Sequence, residues 1–223
     1  MTTQKLPLFP LNTVLFPGAP LPLYIFEERY RLMIGRCIEQ RAPFGVVLIR
    51  ETDREDTDPN VTFHSVGTSA VISDGAKLED GRYVLNTTGH RRFRVQYIAQ
   101  RAPYFIGSIT YLSEESGAAV TDSATQLHTL YERYWASVRA ATGYQHEVEE
   151  LPSDVIEMTY WMAHRLQVDN QHKQRWLEAD VATRLREMIA ALRAEIALLP
   201  GAGDSPTGPN LSDHSWDGPG SWN

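Results

Sequence analysis

Five prolines, at positions 7, 10, 17, 20 and 22, cut the apolar opening of the chain into short runs, LPLFPLNTVLFPGAPLPLYIF from Leu6 to Phe26. Proline fixes φ and has no N–H to donate, so runs punctuated this densely are not expected as central sheet strands. They read as edge strands joined by tight turns, with Pro17-Gly18 as one turn. A helix follows, with Glu27 and Glu28 in its first turn, where carboxylates suit the positive end of the helix dipole. Tyr30, Met33, Ile34, Cys37 and Ile38 then recur at the spacing of one buried helical stripe. Phe44 to Ile49 is a strongly β-forming run.

The next stretch alternates turns and short strands. RETDREDTDPN, Arg50 to Asn60, is expected as an exposed loop, and it lacks the Gly and Glu that a calcium loop requires. Val61 to Asp74 reads as extended, and Asp74-Gly75 and Asp80-Gly81 as two turns. Arg82 to Thr88 forms a strand with Tyr83, Leu85 and Thr87 on one face, and Gly89-His90 is expected to break it. In the following strand Phe93, Val95 and Tyr97 are expected inward and Arg92, Arg94 and Gln96 outward. A last strand runs from Tyr104 to Leu112. Short strands at this spacing imply a closed or nearly closed barrel.

From about Asp122 the period becomes helical. One helix ends at Gly143, and a second follows Leu151-Pro152-Ser153-Asp154 with Ser153 as expected N-cap. A short third helix covers Asn170 to Glu178, and a fourth is capped by Asp180 and stopped at Pro200-Gly201. Residues 201–223 are Gly, Pro, Ser and Asp without Lys or Arg, a composition expected to stay disordered. The expected class is therefore α+β. A β subdomain spans 1–117 and carries one packed helix, a helical bundle spans 118–200, and a tail spans 201–223.

LPLFPLNTVLFPGAPLPLYIFEERY, then Val66-Gly67-Thr68, Asp80-Gly81-Arg82-Tyr83, LPSDVIEM and DVATRLREMIAALRAEIALL, resemble the N-terminal, substrate-binding domain of the Lon protease family. The resemblance runs from about residue 6 to residue 199. It implies a PUA-like β pseudo-barrel followed by helices, serving substrate recognition and assembly and standing here without its enzyme. The implied partners are unfolded or degron-bearing protein segments, together with a separate ATPase or protease. Self-association is a further expectation.

The remaining chemistry is read mainly by exclusion. The three lysines follow Gln4, Ala76 and His172, so no P-loop, which needs Lys after Gly, is written in these residues. No GxSxG elbow or recognisable Ser-Lys module is present, and His146-Glu147 lacks the second His of a zinc-protease helix. Cys37 sits on an apolar stripe and is expected to be an inert buried thiol, and one cysteine builds neither a disulfide nor a zinc site. No catalytic residue, cofactor or metal is expected. Net charge is −7, which argues against nucleic acid as the main partner. No signal peptide or membrane span is read, so bacterial cytoplasm is the expected compartment.

Two binding surfaces remain. Met158 and Trp161 lie off the main stripe of their helix, as a buried edge or as adaptable contacts for peptide. Arg91, Arg92 and Arg94, within the wider set Arg82, His90 and Arg101, form the alternative, an RNA-binding face of a PUA-like module. A small-molecule sensor or cryptic hydrolase is the third possibility.

Overall fold

The structure is a computed structural model that describes residues 3–50, 61–114, 120–143 and 149–199. The acidic loop, the HExxH-like stretch up to residue 148 and the tail from residue 201 lie outside the described residues.

Six strands come first: β1 (Gln4–Leu11), β2 (Pro20–Ile25), β3 (Phe44–Leu48), β4 (Val66–Lys77), β5 (Tyr83–Gln100) and β6 (Phe105–Tyr111). One helix, α1 (Glu28–Gln40), lies between β2 and β3. Four helices follow: α2 (Thr121–Thr142), α3 (Val155–Arg165), α4 (Asn170–Glu178) and α5 (Val181–Leu198). The strand order is β2-β5-β4-β3-β1-β6, and β6 also pairs with β5, so five strands close into a ring with β2 attached outside it.

β2 is the edge strand its prolines require. β1 is not: it lies between β3 and β6. Its first half, Gln4 to Leu8, pairs with β6, and its second half, Leu8 to Leu11, pairs with β3. Each half is bonded on one side only, and this leaves a place in each for a proline that cannot donate.

Alternation sorts the side chains into two cores. Leu6, Leu8, Val47, Phe93, Phe105 and Ile109 meet inside the ring. Phe9, Phe44, Val46 and Leu48 point the other way and join a larger cluster with α1 and the later helices. That larger cluster is continuous from Phe16 to Tyr160, whose rings lie 6.2 Å apart.

Several local expectations are corrected. Asp74-Gly75 lies inside β4, and the chain reverses at Gly81 (φ 82°) instead. Gly89 does not break a strand, because β5 runs through it for 18 residues. Gly89 is there because Phe16 crosses it so closely that a Cβ would sit 2.1 Å from the Phe16 carbonyl oxygen. Gly18 (φ 76°) makes the expected turn, with Ala19 N–H donating to Phe16 O at 3.1 Å. Asp154, not Ser153, caps α3 by accepting from the Ile156 and Glu157 N–H groups. A carboxylate there can reach both orphan donors at once. Asp180 caps α5 as expected.

Candidate functional site

The strand ring and the helical segment are joined by a buried cluster of charge. Arg92 leaves β5 on the side opposite Phe93, so it does point away from the ring interior. It does not reach solvent, because the α4–α5 junction covers it and leaves it 6% exposed. The expectation that Arg92 lies on an exposed face is therefore wrong, because outward from the ring is not outward from the protein. Its Nη1 donates to the Ala179 carbonyl at 2.9 Å and to the Leu177 carbonyl, and its Nε meets the Glu114 carboxylate.

Arg184 of α5 is fully buried beside it. It donates to Trp176 O (3.0 Å), Thr159 Oγ1 (2.9 Å) and Ala179 O (3.0 Å), and lies 3.5 Å from Glu114. Its guanidinium also sits 4.1 Å from the centre of the Tyr160 ring. Tyr160 donates its hydroxyl to Glu114, and burial holds that phenol well above its usual pKa. Burial likewise lowers the pKa of Arg184. Buried charges are tolerated only when paired and bonded, and here two cations share one carboxylate, three carbonyls and a hydroxyl. Gln174 adds a buried bond from α4 to Val66 O on β4 at 3.0 Å.

Above this cluster the seam opens into a cleft of about 770 Å³. One wall is the Pro17–Pro20 turn with Gly89 to Arg92, and the other is α3 with Ile156, Tyr160 and Trp161. Trp161 is half-buried. Its ring makes an edge contact with Tyr131 at 5.6 Å, and the Arg165 guanidinium lies 3.7 Å over it. Arg165 thus covers one face of the ring and Tyr131 meets it edge-on, which holds Trp161 in place in the cleft lining. His164 lines the same cleft, and burial, with Lys173 and Arg165 nearby, pushes its pKa down.

The structure separates the residues singled out from sequence. Trp161 lines the cleft, whereas Met158 is 4% exposed and belongs to the core. Arg91 is exposed, lines the cleft and covers the Tyr111 ring at 4.4 Å. Arg94 is exposed but lies outside the cleft lining. Arg82 is engaged with Asp80. Cys37 is buried, and burial pushes its thiol up to about 11. Among the described residues no group of three or more His, Cys, Asp or Glu is placed to hold a metal ion, and no helix is long and apolar enough to cross a membrane.

Sequence reasoning passed over Arg184, Glu114 and Tyr160. A signal for Arg184 was present: it falls between Val181, Leu185 and Met188 on the apolar stripe of α5. A charge on such a stripe requires buried partners.

The described residues thus form a closed strand ring bearing a helical segment, with an open cleft at the seam. The chain belongs to the family of the ATP-dependent protease La (LON) substrate-binding domain, whose profile matches residues 5–194. It is 34% identical over 113 residues to a Lon protease of Flavobacterium johnsoniae, covering 50% of this chain and 14% of that protein. It is 31% identical over 116 residues to Lon protease 2 of Myxococcus xanthus, covering 52% of this chain and again 14% of the relative. The chain thus spans about a seventh of the length of the curated relatives it matches.

Two solved structures share the fold. The Lon N-terminal domain protein from Xanthomonas campestris aligns with TM-score 0.60 and 28% identity over 84% of this chain and 98% of that one. The N-terminal domain of Mycobacterium avium complex Lon protease aligns with TM-score 0.61 and 17% identity over 85% and 98%.

Proposed function

We propose that this chain recognises apolar segments of unfolded or degron-bearing polypeptide in the cleft between the strand ring and α3, and performs no chemistry on them. The observation that carries this reading is the placement of Trp161, a large aromatic surface held by Tyr131 and Arg165 at the wall of an open cleft of about 770 Å³. Rigid aromatic anchors in concave sites supply contact area at low entropic cost and tolerate varied sequences. The two walls correspond to a β subdomain of residues 1–117 and a helical subdomain of residues 118–200. The bound segment is handed to a separate ATPase or protease in the cytoplasm. The family description, a substrate-binding domain, supports recognition rather than catalysis.

The RNA reading is not carried further. Its Arg92 is engaged with Glu114, and Arg91 and Arg94 do not line one depression.

Fluorescence anisotropy of a labelled peptide rich in Leu and Phe tests the proposal. Saturable binding that weakens at least about tenfold in Trp161→Ala supports it, a loss of about 1.4 kcal/mol. No binding, or binding indifferent to Trp161, overturns it.

A further inference from the structure

A second depression adjoins the cleft. This groove, of about 660 Å³, shares His90 and Arg91 with the cleft and continues along β1 and α1. Its lining brings together Lys5, Arg36, His90 and Arg91 and, among the described residues, contains no Asp or Glu. The chain as a whole carries 28 acidic against 21 basic side chains, so a groove with only basic charge departs from its average.

Among the described residues Lys5, Arg36 and Arg91 form no ion pair. Two of them are held by aromatic rings instead. Arg36 donates to the Tyr104 hydroxyl at 3.0 Å, and Arg91 lies 4.4 Å over Tyr111. A guanidinium oriented by a ring keeps other N–H groups for an incoming acceptor and loses less freedom when it binds one.

We propose that the groove bounded by Lys5, Arg36, His90 and Arg91 binds the acidic part of an extended peptide whose apolar part lies in the adjoining cleft. This deepens the reading above and rests on it. The cleft lining combines Trp161, Ile156, Leu112 and the proline turn with charges of both signs, whereas the described groove lining carries basic charge only. One feature favours peptide over nucleic acid. The Tyr104 ring is buried and the Tyr111 ring is covered by Arg91, so the groove offers no open stacking platform for bases.

The test uses three labelled peptides that share a Leu- and Phe-rich half and end in a run of Asp, Asn or Lys. Each is titrated against the whole chain by anisotropy. The expected order is Asp over Asn over Lys, with Asp at least about tenfold tighter than Asn at low salt and the gap closing as salt rises. In the double variant Lys5→Glu/Arg36→Glu, whose residues line the groove and not the cleft, the Asp and Asn peptides should bind alike, with Asn-peptide affinity unchanged. Both residues are exposed, and the salt series on the unaltered protein checks the same point without mutation. Equal affinity for Asp and Asn peptides, with the Asn peptide still dependent on Trp161, overturns this inference and leaves the apolar cleft standing. An Asp advantage that survives the charge reversal also overturns it. Failure of all three peptides overturns both readings. A single-stranded oligonucleotide bound more tightly than the Asp peptide overturns the inference in favour of nucleic acid.

Discussion

Arg92→Ala separates a buried clamp from an exposed strand arginine. The substitution leaves the Leu177 carbonyl without its donor, whereas Ala179 O keeps Arg184 Nη2 at 3.0 Å. One orphaned buried carbonyl costs about 1–3 kcal/mol. Removing one member of a buried ion pair costs roughly 3–5 kcal/mol. Glu114 retains Tyr160 and Arg184 after the change, which places the total near the lower end, about 3–4 kcal/mol. Urea unfolding read by tryptophan fluorescence and circular dichroism measures it, as a lower midpoint at unchanged slope. Arg94→Ala, on the exposed part of the same strand, serves as control and should move stability by less than about 0.5 kcal/mol. A cycle with Glu114→Gln should give a coupling of at least about 1 kcal/mol between Arg92 and Glu114. A loss below about 1 kcal/mol for Arg92→Ala would refute the clamp.

Gly89→Ala should cost about 1–3 kcal/mol in the same unfolding assay, because its methyl has no room against the Phe16 carbonyl. A neutral result would mean that the turn at Pro17-Gly18 can move away freely. Cys37 should resist a thiol reagent at pH 8 in the folded protein and react once unfolded; fast native labelling contradicts its burial. With its pKa raised to about 11 from 9.0, the stability it contributes is present below pH 9 and falls as pH rises through that window. His164 has a lowered pKa, so its contribution is present above its ordinary value of 6.5 and is lost as pH falls below it. Its imidazole resonances should titrate below 6.5, and His164→Gln should flatten the acid limb of the stability curve. A midpoint above 6.5 contradicts the assignment.

Much of the fold was legible because periodicity and turn chemistry are local. Tyr83, Leu85 and Thr87 alternate into the core as read, and Asp180 and Gly143 bound helices where expected. What was not legible depends on which distant segment lies alongside. β1 holds an interior place because its partner changes midway at Leu8. Gly89 has the composition of a breaker, yet it serves a close approach by Phe16, 73 residues earlier in the chain. The outward strand face at Arg92 was correctly separated from Phe93, but period-two reading cannot tell solvent from a covering helix. At Tyr97 a register shift between β5 and β6 turns an expected inward ring outward, to 62% exposure.

The site divides in the same way. Trp161 was identifiable because it lies off the main stripe of its helix, while its neighbour Met158 went to the core. The pairing of Lys5 and Arg36 with Arg91 across one groove had no signal in linear spacing. Those residues come from β1, α1 and β5, and only strand pairing and helix packing bring them together.

Fluorotryptophan NMR during titration with the Leu- and Phe-rich peptide tests the cleft most directly. The resonance of Trp161, identified by its loss in Trp161→Phe, should move progressively to saturation. That of Trp176, which is 1% exposed and absent from the cleft lining, should stay in place. A Trp161 signal that remains fixed while peptide binds would put the binding surface elsewhere and contradict the account.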